Sequence, residues 1–178
     1  MKKTKTEIVL VVMKYLALLA GIGFSIECGS QIFSFAGSFA NPSWAEKTYN
    51  ADPFWFRVRE QGSWYYPVLM SMLIVISALK AWIWYLIFDL LLKLQLDSPF
   101  SPFVSKKLES ISYMLLGVWV MMALIAKSFA HYLLVETGIE VPENYIQDEY
   151  FFVAGIVFIL SQLFKRGIEM QEENQLTV

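Results

Sequence analysis

Very little in this chain is equipped for bond-making chemistry. There is one cysteine, Cys28, so no intrachain disulfide can form and a cysteine-only metal site is excluded. There is one histidine, His131, which excludes a histidine-rich metal centre; a lone His–Glu pair would still lack zinc ligands. No glycine-rich phosphate loop and no HExxH occur, and no serine or cysteine carries a motif that marks an activated nucleophile. The chain is therefore read as non-enzymatic, with no cofactor and no metal. Charge is scarce as well. Charged residues make up 17% of the chain and the net charge is −2, so bulk charge offers no footprint for direct nucleic-acid binding. Its 178 residues leave no room for a soluble catalytic domain beside the apolar segments.

What is abundant is apolar surface. Hydrophobic residues make up 57% of the chain and mean hydropathy is positive, against the larger charged fraction of a soluble domain. Four apolar segments stand out, at about 8–35, 65–96, 111–134 and 150–164. The second, YYPVLMSMLIVISALKAWIWYLIFDLLLKLQL, has only Lys80, Asp89 and Lys93 as charges. At ~1.5 Å per residue, a helix of that length outreaches a ~30 Å hydrocarbon core. The fourth is about fifteen uncharged residues, short of the usual ~20, and Lys165 and Arg166 can snorkel to lengthen it. The opening MKKTK and the apolar run behind it resemble a secretory signal. That run is too long for one, and Glu27 precedes Cys28 where a lipoprotein cleavage site needs small residues, so the N-terminus is expected to stay in the membrane.

Lysine and arginine bias then sets the orientation. With the N-terminus inside, the cytoplasmic side holds Lys2, Lys3, Lys5, Lys14, Lys93, Lys106, Lys107, Lys165 and Arg166, and the outer side only Lys47, Arg57 and Arg59. The connection at 135–147 carries Glu136, Glu140 and Glu143 and no basic residue. The expected fold is all-α: an integral membrane four-helix bundle in one domain, 1–178, with both termini cytoplasmic. Its helices fall at about 8–37, 65–96, 103–134 and 148–170, with an outer loop at 38–64, a cytoplasmic loop at 97–102 and a cytoplasmic tail at 167–178. The outer loop is rich in aromatics, from Trp44 and Tyr49 through Phe54, Trp55 and Phe56 to Trp64, Tyr65 and Tyr66. An aromatic belt with a loop lying on the membrane accounts for them, and a lid over an outer cavity is the alternative.

On the first helix, Ala17, Gly21, Ser25 and Gly29 recur every four residues, the small-xxx-small spacing that lets backbones approach. This is a packing seam, within the bundle or across a homodimer. A second stripe holds Gly23, Glu27, Ser30, Gln31, Ser34 and Ser38, and a polar stripe in a membrane helix turns away from lipid. Glu27 is its costly member, since a mid-bilayer charge costs ~2.5–3.5 kcal/mol on insertion scales. From the helical rise, Glu27 lies ~20 Å above Lys14 and Lys80 ~14 Å above Asp89, so Lys80 is the first candidate partner. Lys127 is the other, and the spacing does not choose between them; Lys127 and His131, one turn apart, could with Gln31 line a crevice open to the outside. An ion pair that only fixes packing, a solute or proton site, and lysines that snorkel to water all remain open.

The cytoplasmic connection is more distinctive. Asp97-Ser98-Pro99-Phe100-Ser101-Pro102-Phe103 breaks one helix and starts the next, with Ser101 as N-cap and Pro102 at the first helical position. A short turn with basic anchors explains it; a docking surface for a soluble partner, built on Asp97, Pro99, Phe100 and the terminal Leu176, Thr177 and Val178, is the functional reading. The run from Pro99 to Leu108 and the tail from Phe164 to Val178 resemble a bacterial family, domain of unknown function 2975. The tail is the more specific, in its order of phenylalanine, basic pair, glycine, acidic run and Leu-Thr-Val ending. The resemblance covers nearly the whole chain and implies a multi-pass protein of the bacterial inner (cytoplasmic) membrane. It carries over no activity. Genes of the family often look paired with those of small helix–turn–helix regulators, which implies that the loop and tail hold or release a cytoplasmic transcription regulator. A small transporter or ion pathway using Glu27, Lys80, Lys127 and His131 is the alternative.

Overall fold

The computed structural model describes residues 5–41, 53–62, 64–94, 100–142 and 149–176. Among them every regular element is helical: α1 (Lys5–Ala40), α2 (Pro53–Gln61), α3 (Tyr65–Lys93), α4 (Pro102–Trp119), a π-helical stretch (Val120–Ala126), α5 (Lys127–Thr137) and α6 (Tyr150–Leu176). Proline shapes three of the starts. Pro53 and Pro102 open α2 and α4, and Pro67 lies in the first turn of α3, where a backbone N–H has no intrahelical acceptor to lose. Ser101 Oγ accepts the Val104 N–H at 3.4 Å, the N-cap expected of the Ser-Pro pair. At the other end of that run, Gly138 closes α5 at φ 71°, and its N–H donates to the Leu134 carbonyl.

By length and composition four helical stretches can cross a bilayer: Lys5–Ala40, Tyr65–Lys93, Pro102–Thr137 and Tyr150–Glu173. Only 11% of the most apolar window of α1, and of α6, is buried, so side chains such as Leu19, Phe33, Phe152 and Ile159 face outward. Water penalises such a surface at ~25 cal/mol per Å², whereas hydrocarbon accepts it, provided the backbone hydrogen-bonds to itself as a helix does.

Contacts divide the chain into two compact units, one of residues 1–22, 80–117 and 149–178, the other of residues 23–79 and 118–148. In the first, Ala17 is buried, and a Cβ added at Gly21 would meet Trp84 and Tyr85 of α3 at 3.6 Å. Two buried serines tie α4 to α6. Ser105 Oγ donates to the Ser161 carbonyl at 3.2 Å, and Ser161 Oγ to the Phe158 carbonyl at 2.7 Å, so neither hydroxyl is stranded in the seam.

In the second unit, Phe54, Trp55 and Val58 of α2 enter a core with Tyr66, Leu69, Met70 and Leu73 of α3, Leu133 of α5, and Ile139 and Val141 beyond it. Arg59 of α2 donates to the Ser38 carbonyl at 2.6 Å, satisfying one of the orphan carbonyls at the end of α1.

Several boundaries differ from the sequence expectation. The outer segment 38–64 is not a plain loop: α1 continues to Ala40, and α2 occupies Pro53–Gln61. Phe54, Trp55 and Val58 form one apolar face of α2, with Arg57 and Glu60 exposed, so with Tyr66 of α3 three of the belt aromatics are core residues; Phe56 and Trp64 remain exposed. The helix expected at 103–134 runs to Thr137 and changes winding at Val120–Ala126. Buried Val118, Met122 and Ala126 recur every four residues there, and the i→i+5 winding keeps such a spacing closer to one face than an α-helix would. The tail expected at 167–178 is helical to Leu176, supported by Arg166 against Glu169 at 2.9 Å one turn on. Trp44, Tyr49, Lys47 and Glu143 lie outside the described residues.

Candidate functional site

The two stretches that carry the sequence's most distinctive motifs meet. Phe100, just before α4, packs on α6, with its ring centroid 5.3 Å from that of Phe164. Beneath it is Gly167. A Cβ at that position would lie 2.6 Å from the Phe100 ring, so the glycine is what admits the aromatic. The motif Phe-Lys-Arg-Gly therefore has a steric meaning that the tail alone does not disclose: phenylalanine and glycine form the seat, and Lys165 and Arg166 between them are exposed. Asp97, Pro99, Thr177 and Val178 lie outside the described residues, and of Leu176 only the helical backbone is described.

Beside this seat is a charge cluster that sequence reasoning missed. Asp89 of α3 receives Lys93 Nζ on Oδ1 and Lys107 Nζ on Oδ2, each at 2.7 Å. The same two ammonium groups stand 5.3 and 5.7 Å from the centre of the Phe103 ring. Asp89 and Lys93 are legible as an i,i+4 pair on one helix, but Lys107 comes from α4, and nothing in the sequence ties it to Asp89. The aspartate thus joins the helices on both sides of the 97–102 connection.

Within the second unit, Glu27 is exposed and accepts two hydrogen bonds on Oε1, from Gln31 Nε2 at 3.3 Å and from Ser77 Oγ at 3.4 Å. Gln31 Oε1 is buried and has no partner. Cys28 Sγ donates to the Ile74 carbonyl of α3 at 3.7 Å. Lys127 and His131 are exposed one turn apart on α5. Lys80 belongs to the first unit, where its Nζ lies 5.6 Å from the Tyr150 ring centre. Thus the structure joins Glu27 to Gln31 and adds Ser77, a residue the polar stripe on α1 could not reveal because it lies on α3. Of the small-residue seam, Ala17 and Gly21 are buried, Ser25 is half-buried, and Gly29 is exposed with open space about it. Among the described residues no three His, Cys, Asp or Glu side chains gather into a set that could hold a metal ion.

Helices of this length and hydropathy, polar only in patches and at their ends, define the multi-pass membrane class of protein. Within that class, residues 52–178 match the family described as protein of unknown function DUF2975, and the chain belongs to that family. The match includes both the Phe100 seat and the Asp89 cluster, and it begins after α1. Comparison with curated proteins finds no match, and comparison with solved structures finds none either.

Proposed function

We propose that this chain is a non-enzymatic protein of the bacterial cytoplasmic membrane, a four-helix bundle with both termini in the cytoplasm, that holds or releases a cytoplasmic partner through its 97–107 connection and its tail. One observation carries the reading: Phe100 of the connection is seated on Phe164 and Gly167 of α6, so loop and tail present a joint surface. The exposed basic residues Lys106, Lys165 and Arg166 and the acidic run Glu169, Glu172 and Glu173 give that surface both signs of charge, a pattern that favours specificity in a partner. The partner proposed from the family resemblance is a small helix–turn–helix regulator.

The test is co-expression with such a regulator encoded beside the gene, followed by pulldown of the intact chain and of a chain lacking its last twelve residues. The expected outcome is regulator recovered with the intact chain and lost with the shortened one. Equal recovery from both overturns the role given to the tail.

A second reading, a small transporter or ion pathway, is favoured by one feature: the exposed Glu27 carboxylate beside Gln31, whose buried Oε1 lacks a partner. On this reading Glu27→Gln changes solute flux in proteoliposomes. Unchanged flux across a broad substrate panel leaves these groups as packing.

A further inference from the structure

Between α4 and α6, in the first unit, is a cavity of about 260 Å³ lined by Ser112, Tyr113, Leu116, Phe151, Gly155, Phe158 and the buried Ala154. Its few polar groups are already engaged. Ser112 Oγ donates to the Glu109 carbonyl at 2.8 Å, and Tyr113 Oη donates to Glu109 Oε1 at 3.1 Å. Nothing in the lining therefore asks for a polar ligand. Both walls belong to stretches that can cross a bilayer, so the medium about the groove is hydrocarbon. With each water-sized group taking ~30 Å³, and a methylene similar in size, the space holds about nine methylenes.

The sequence continues both walls in register toward one end. On α4 the line through Leu116 and Tyr113 passes Glu109 and reaches Lys106; on α6 the line through Phe151, Gly155 and Phe158 passes Gln162 and reaches Lys165. Lys106 and Lys165 are exposed, six residues beyond Ser112 and seven beyond Phe158, or ~9–10 Å by the helical rise. That spacing suits the glycerol ester that separates a phospholipid's chain from its phosphate, and both side chains carry the complementary charge.

We infer that this groove binds one acyl chain of an anionic phospholipid in the leaflet at the Lys106–Lys165 end, with the phosphate taken by those two lysines. The bound lipid fills the α4–α6 groove as a structural ligand and differs from the lipids that merely surround the helices.

The test uses the full chain in nanodiscs containing a phosphatidylglycerol with a photoreactive group in one acyl chain, the adducts being mapped by peptide mass spectrometry. Adducts are expected on Leu116, Phe151 and Phe158. Gly155→Leu should fill the groove without disturbing the fold, because a Cβ there meets nothing within 4 Å. It should lower adduct yield severalfold, because the chain then loses its van der Waals contacts with the groove walls, the term that favours the groove over the surrounding hydrocarbon. Melting temperature checks that the variant folds, and Phe152→Ala, on an exposed position outside the groove, should leave the yield unchanged. Adducts spread evenly over the exposed residues of α6, or a yield unmoved by Gly155→Leu, overturn the groove as a site. Equal labelling by an uncharged photoreactive diacylglycerol, or no response to Lys106→Gln with Lys165→Gln, overturns the assignment of the phosphate.

Discussion

A single hydrogen atom decides whether the 97–107 connection is anchored. Any side chain at position 167 pushes into the Phe100 ring, which is nearly half exposed and can swing aside. Gly167→Ala should therefore cost only about 1 kcal/mol, the lower end for overpacking, while releasing the aromatic from its seat. A Phe100→Trp reporter tests this: its emission should shift to the red when Gly167→Ala is added, and an unchanged spectrum would mean that the ring is not held by the glycine. Asp89 is a second residue on which a connection depends. Asp89→Asn removes the carboxylate that Lys93 and Lys107 share, leaving the two ammonium groups together at the Phe103 ring. Because all three charged groups remain partly exposed, melting should fall by a few degrees at most, and added salt should shrink the difference. Lys107→Gln should matter more than Lys93→Gln, since the Lys93 side chain is 57% exposed and the Lys107 side chain only 26%.

Pairs of helices are where packing, and not propensity, takes over. The α4–α6 seam is built on serines whose small volume lets the backbones approach and whose hydroxyls are satisfied locally. Ser161→Leu should destabilise by about 1–3 kcal/mol, whereas Ser161→Ala should stay within about 1 kcal/mol, both read by thermal unfolding in detergent. Similar losses from the two would place the stability in the hydroxyl and not in the close approach. The π-helical stretch is an element-scale feature of a different kind. Deleting the exposed Leu124 removes one residue from a segment wound with room to spare, and should leave helicity by circular dichroism and melting nearly unchanged. Deleting Leu116 from α4, which has no such slack, turns every later residue of that run by ~100° and should abolish folding.

For the whole molecule the governing force is the match between four apolar helical stretches and a bilayer. The proposed orientation rests on nine basic residues against three and makes a direct prediction. Reporters fused to the two ends should be active on the same, cytoplasmic side. Glu136→Lys with Glu140→Lys, placed on the connection that now lacks basic residues, should send part of the population in inverted, visible as mixed reporter activity. Opposite locations of the two ends in the unaltered protein would remove both the orientation and the cytoplasmic surface proposed from it.

Composition and hydropathy alone were enough to read the class, the number of apolar segments and the Ser101–Pro102 helix start, because each is a local property: a run of apolar residues long enough for a bilayer, or a side chain that caps its own turn. The aromatic run at 54–56 was legible as apolar but not as core, since burial depends on α3 and α5 arriving from elsewhere in the chain. The same limit applies to the site. Glu27 and Gln31 share a helix face, so their pairing could be read from spacing; the contacts of Ser77 with Glu27, of Lys107 with Asp89 and of Phe100 with Gly167 join residues 50, 18 and 67 positions apart, in different elements. Spacing along one helix says which side a residue is on and nothing of what faces it. Only the packing of one helix against another decided that the glycine of the tail and the aromatic of the loop belong to one contact.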